Sequence, residues 1–209
     1  MKNRRKWRRW IKAIDNTIYM PIRIYTPIFK GYIQILEKNP SMRKPFHFHE
    51  WILHNHSNTI LLTMRKIADK DPRSHSVRRL LGDVLHNNKS LTLRSYMHRC
   101  PKNFKDTHLN FWRSVCGDHD FIPKGIVQRD LNEIKKLTEK ARKAVNQTIA
   151  HISKDRKYRT FEFDSIYADI EKTLQIFQKY SVLLRCPEDN SIEAVITHDW
   201  RKIFKIKWI

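Results

Sequence analysis

A chain of 209 residues, 40% of them apolar and 11% aromatic, can fill one sizeable core and is short for two, which excludes a disordered chain and disfavours a multidomain assembly. Its 4 glycines are too few for the positive-φ turns of hairpins and barrels, and no run alternates strictly between apolar and polar residues. With 42 Lys and Arg against 21 Asp and Glu the net charge is +21, a self-repulsion that phosphate backbones commonly offset; an anionic membrane surface is the rival partner.

The fold class that remains is all-α: one helical bundle over 1–209, with 1–45 a basic amphipathic segment and 187–209 a short tail. From Arg4 to about Leu36, Trp7, Trp10, Ile14, Ile18, Ile22, Tyr25, Phe29, Tyr32 and Leu36 recur at steps of three and four. This predicts an amphipathic helix, or two in line, because Pro21 and Pro27 should kink or split it. Asn39-Pro40 and Pro45 read as the exit. A second helix is expected over about His49 to Ala68, with Trp51, Asn55, Asn58, Leu62, Arg65 and Asp69 along one stripe, ended by Asp71-Pro72.

Ser74 or Ser76 can cap a short helix carrying Val77, Leu80, Leu81, Val84 and Leu85. Residues 87–103 read as looser, with a turn or two of helix after Ser90. Phe104 to Val115 gives another short helix, stopped at Gly117. Pro123 opens a long helix to His151, through Val127, Leu131, Ile134, Leu137, Ala141, Val145, Ile149 and Ile152. The last long helix, about Phe163 to Leu184, turns Ile166, Ile170, Leu174, Phe177 and Tyr180 inward, and Pro187 breaks it. Thr197 can cap a turn or two in the tail. The long helices and the N-terminal one form the bundle.

Cys100, Cys116 and Cys186 are odd in number and scattered, which fits a reducing cytoplasm better than a disulfide framework. The N-terminal charges precede no apolar core of a signal peptide, and no stretch approaches the length of a spanning helix. Cytoplasm is the expected location.

Positive charge is concentrated in three places. The first twelve residues hold seven Lys or Arg, among them Arg4, Arg5, Arg8 and Arg9, interleaved with Trp7 and Trp10. Arginine and tryptophan together suit RNA, by phosphate pairing and base stacking, and suit an anionic membrane nearly as well. The second run is Lys154, Arg156, Lys157 and Arg159; the third is Arg201, Lys202, Lys205 and Lys207.

The stretch from Ala141 to Arg156, a helix ending in Ile149-Ala150-His151 and followed by a short polar basic run, resembles the HEPN superfamily. The likeness is nearest its AbiU-like branch, associated with phage abortive infection. It extends upstream through Trp51, Asn58, Leu62, Arg65, Asp69, Asp71 and Leu80, and downstream from Asp199-Trp200 to Trp208. The resemblance implies an α-helical homodimer that works on RNA without a cofactor, as a metal-independent endoribonuclease in antiviral or stress defence. It makes His151 the general acid or base that helps a ribose 2′-hydroxyl attack the adjacent phosphate.

The chain departs from that pattern at the arginine four to six residues before the histidine. Asn146 stands there, followed by Gln147, and an amide brings no charge to an anionic transition state. Arg142 lies nine residues before His151, on the opposite side of a helix. Lys143 is nearer that face but about 12 Å along the axis, so it serves only across an antiparallel partner or on a displaced substrate; Lys154 and Arg156 are the other candidate replacements. The alternatives are a catalytically silent module that binds RNA, DNA or a protein, with His151 as a helix-terminal cap, and a site restrained by a partner protein.

Phe46-His47-Phe48-His49-Glu50 with His54 and His56 is rich in metal-binding groups but lacks the spacing of a zinc site, and so do His98, Cys100, His108, Cys116 and His119. No metal is expected. Phosphate-cradling glycine loops are absent from the sequence.

Overall fold

Apolar residues at steps of three and four commit most of the chain to helix, and the helices then bury their stripes on one another. The computed structural model describes residues 2–44, 46–145, 163–185 and 199–205. It is an all-α bundle: α1 (Lys2–Ile14), α2 (Met20–Lys38), α3 (Phe46–Ile67), α4 (Val77–His86), α5 (Leu93–Met97), α6 (Lys105–Cys116), α7 (Lys124–Ala144) and α8 (Phe163–Arg185). Among the described residues the extended pairing is limited to one bridge, between Thr92 and Phe121.

Helix α7 is the hub. Its stripe of Val127, Leu131, Ile134, Leu137, Ala141 and Val145 is buried, and α3, α4 and α8 all pack against it. Helix α8 supplies Ile170, Leu174, Phe177 and Tyr180, and α1 lies on α8 and α4. Tyr19 stacks on Phe177 with ring centroids 4.7 Å apart, and its hydroxyl donates to the Thr173 carbonyl at 3.1 Å.

The local stops are set by short-range chemistry. Ser76 caps α4, its hydroxyl accepting from the Arg79 N–H at 3.1 Å. Thr92 caps α5 in the same way. Gly117 ends α6 with φ at +64°, where a β-carbon would be strained. Gly31, on α2, gives room of a different kind: a β-carbon there would lie 2.7 Å from the Trp200 ring that packs on it, so the ring would have to shift.

Two expectations need correction, and a third is met in one of its two forms. The N-terminal segment is helical in line from α1 into α2, and Pro21 and Pro27 do not split it. The helix widens into a π turn at Asp15–Tyr19 and resumes with Pro21 in the first turn of α2 and Pro27 inside it. Proline lacks the N–H for a bond to the preceding turn, and a π turn is where that loss can be absorbed. The stripe expected along α3 is its outer side, since His56, Ile60, Thr63, Met64 and Ile67 face the core. Lastly, Cys100 is disulfide-bonded, Cys116 is a free buried thiol, and Cys186 lies outside the described residues. Scatter in sequence says nothing about which sulfurs a bundle brings together.

Candidate nucleic-acid interface

The positive charge of α1 is sorted by helix geometry into two flanks and an outer face. On one flank Lys6 reaches Asp83 of α4 at 2.7 Å, and the Trp7 indole N–H donates to the other carboxylate oxygen of Asp83. Trp10 lies beside them, half-buried, with Lys6 and Arg79 over its ring at 5.0 Å and 4.8 Å. Trp7 itself is 0% exposed. It is therefore not a platform for stacking bases, and the expectation that placed it in the interface fails. Its spacing from Ile11, Ile14 and Ile18 makes it core, and the single N–H finds a carboxylate inside.

The other flank turns Arg4 and Arg8 toward Arg99, at the end of α5. The Arg99 guanidinium donates to the carbonyls of Leu183 and Leu184, among the last of α8, and to the Ser95 carbonyl. These are the orphan acceptors of a helix C-terminus, so a buried cation is held there by dipole and hydrogen bonds. Burial first, then the neighbouring Arg4 and Arg8, pull Arg99 down to about 10. Arg4 Nε is buried with no hydrogen-bond partner among the described residues. Arg5, Arg8, Arg9 and Lys12 are exposed, and neither they nor Arg4 has a carboxylate partner within the described residues.

A second cluster forms where the described part of α7 ends. Arg142 and Lys143 are exposed and both contact Glu139, at 2.7 Å and 3.4 Å. Arg78, from the first turn of α4, is held below the usual arginine range by burial and then by Arg142, opposed by Glu139. One carboxylate thus serves three cations. Asn146, Gln147, His151, Lys154, Arg156, Lys157 and Arg159 lie outside the described residues. Neither Arg78 nor Arg99 is singled out by the sequence: Arg78 belongs to a short helix read for its apolar stripe, and Arg99 sits in the segment read as loose. Only the packing of α4 on α7 and of α5 against the end of α8 brings them to the clusters.

Elsewhere the polar groups are satisfied structurally. Asp130 accepts from Lys179 and from the Tyr180 hydroxyl, both at 2.7 Å. Tyr96 shares a hydrogen bond with the buried His108 at 2.6 Å. His49 bridges Tyr32 and the Met42 carbonyl, which fixes the start of α3. No group of three His, Cys, Asp or Glu side chains among the described residues could hold a metal ion, and no described helix is long and apolar enough to cross a membrane.

No family model, curated protein or solved structure matches the chain.

Proposed function

We propose that the chain is an RNA-binding protein of the HEPN kind, and that phosphates dock on the cationic face of α1. The observation that carries this reading is the set of Arg4, Arg5, Arg8, Arg9 and Lys12 with no carboxylate partner among the described residues, beside Arg99. Such crowding of like charge raises the energy of the free protein, and a polyanion relieves it while releasing its own counterions. RNA is preferred to DNA on the resemblance around His151.

The finer reading is metal-independent RNA cleavage, with His151 as acid or base. It is favoured by the gathering of Arg78 and Lys143 beside Glu139 toward the end of α7, cations that would make good the charge lacking at Asn146. Arg78 comes from a different helix, so it is free of the helical phase that excludes Arg142.

One experiment tests both. The full chain is titrated with labelled single-stranded RNA in EDTA over a series of salt concentrations, and the products are analysed for 2′,3′-cyclic phosphate. Binding should weaken steeply with salt. Replacing Arg5, Arg8 and Arg9 together by Ala should weaken it further and flatten the slope by about 0.7 for each phosphate no longer neutralised. Cleavage that His151→Ala abolishes, with binding retained, establishes the enzyme. Binding without cleavage establishes the silent module, and no salt-dependent binding overturns the RNA reading.

A further inference from the structure

The first turn of a helix favours negative charge, and α1 has no acid there. It carries Arg4 instead, with Arg8 one turn on, both turned toward a third guanidinium, that of Arg99. Asn3 helps to fix how this end of α1 lies, its amide donating to the Ser90 hydroxyl just ahead of α5 at 3.3 Å. A glutamate in place of Arg4 would complement the helix dipole and offer Arg99 a partner at once. The arginines do neither, and three like charges held together cost the free protein stability.

Arg99 cannot swing away from them. Its Nε–H donates to the Ser95 carbonyl of α5 at 2.9 Å and its Nη2 to the Leu183 carbonyl of α8 at 3.2 Å, with Nη1 on the Leu184 carbonyl. Bonds to two helices fix the plane of the group, and of its five N–H donors one on each terminal nitrogen is left over. Two further polar atoms border the cluster, Arg4 Nε and Ser95 Oγ, and both are buried with no hydrogen-bond partner among the described residues. Ser95 lies one helical turn before Arg99, so its hydroxyl and the guanidinium share a side of the chain. The Ser95 N–H is taken by the Thr92 cap at 3.3 Å, which leaves only the hydroxyl spare. Buried donors without partners are costly and few in native folds. Two of them beside one cationic cluster mark the place of an acceptor-rich group from outside the chain.

We propose that Arg4, Arg8, Arg99 and the Ser95 hydroxyl form a site for a phosphate monoester dianion, the group carried by a phosphorylated RNA end or by a mononucleotide. Such a group brings nearly two negative charges and three strong acceptor oxygens. Guanidinium forks match phosphate oxygens in geometry as well as charge, and a fixed fork loses little freedom on binding. A phosphodiester inside a strand has one charge and fewer free oxygens, so it satisfies less of the cluster. The site stands at one end of the cationic face of α1, where Arg5, Arg9 and Lys12 are left for internal phosphates. For the polymer the inference rests on the RNA reading, which it deepens by making the strand's end the anchored part; for the phosphate it does not.

The test compares internally labelled single-stranded RNA carrying a 5′- or 3′-phosphate with the same RNA ending in hydroxyls, each titrated with the full chain at about 0.15 M ionic strength. One of the phosphorylated strands should bind at least about tenfold more tightly. Inorganic phosphate should erase most of that advantage, against chloride of equal ionic strength. Ser95→Ala and, separately, Arg8→Ala should shrink it below about threefold. Neither should lower the melting temperature: the first deletes an unpaired hydroxyl, and the second removes an exposed cation from a repulsive cluster. Equal affinity for phosphorylated and hydroxyl-ended RNA overturns the inference and leaves the RNA reading standing. An advantage that both variants keep overturns it as well. If no RNA binds, yet inorganic phosphate raises the melting temperature of the wild type and not of Ser95→Ala, the site stands and the RNA reading falls.

Discussion

His56 shows how one buried polar side chain couples the bundle to pH. It stacks face to face on Phe29, centroids 3.7 Å apart, and its Nε2 accepts from the Tyr167 hydroxyl at 2.6 Å. Burial pushes His56 down to about 4 and the Tyr167 hydroxyl up to about 12, so the pair is locked as neutral acceptor and neutral donor. In the unfolded chain a histidine takes up its proton near 6.5. Between those values the unfolded state binds more protons than the folded one. Stability is therefore complete above about pH 6.5 and declines as pH falls toward 4, by up to about 3 kcal/mol. Melting temperatures of wild type and His56→Gln at pH 7.5 and pH 5 check this. Glutamine keeps an acceptor for Tyr167 and cannot titrate, so its acid loss should be the shallower; equal losses would remove His56 from the account.

At the scale of the element, α4 depends on the serine before it. Ser76 is fully buried, accepts from the Arg79 N–H and donates to the Asp69 carbonyl at 2.6 Å. Ser74 sits outside the cap: its hydroxyl donates to the Asp71 carbonyl and its own carbonyl accepts from the Arg79 guanidinium. Ser76→Ala should cost about 1 to 2 kcal/mol and Ser74→Ala well under 1, measured by urea unfolding of the two variants. The reverse order would mean that the helix starts elsewhere. Because α4 carries Asp83 and Arg78, loosening its first turn should also loosen the flank of α1 that Lys6 and Trp7 fasten.

The same helix shows what a sequence discloses. The stripe Val77, Leu80, Leu81 and Val84 announces α4 within a residue or two, as the stripe of α8 announces that helix and the stripe of α7 its described part, because local periodicity and core position are one property there. Trp7 misled for the opposite reason: its partner Asp83 is 76 residues away, and an arginine-flanked tryptophan reads alike whether it faces a base or a carboxylate. Lone prolines signal a break, yet whether a helix breaks or widens into a π turn depends on neighbours such as the partly buried Asp15 and Arg23 pair. Of the cationic clusters, Arg4, Arg5, Arg8 and Arg9 were legible from charge density alone; Arg99 and Arg78 required tertiary packing.

For the whole molecule the arithmetic of charge sets the energetics. With 42 cations and 21 acids, one-to-one pairing leaves 42 − 21 = 21 cations without a carboxylate, whatever the geometry. Partly buried pairs such as Asp15 with Arg23 and Asp130 with Lys179 are shielded from salt, so what added salt screens is mainly repulsion among the rest. Thermal stability should rise with ionic strength in the absence of RNA. A polyanion at low salt should do the same by binding: at about a hundred times its dissociation constant it adds about 2.7 kcal/mol, which for a chain of this size raises the melting temperature by about 5 to 10 °C. The two effects must not add. Salt that stabilises the free chain also displaces the RNA, so melting curves with and without RNA should converge as salt rises. Curves that stay separated would mean that contacts other than phosphate hold the RNA. Free protein that loses stability with salt would mean that its surface ion pairs outweigh its unpaired cations.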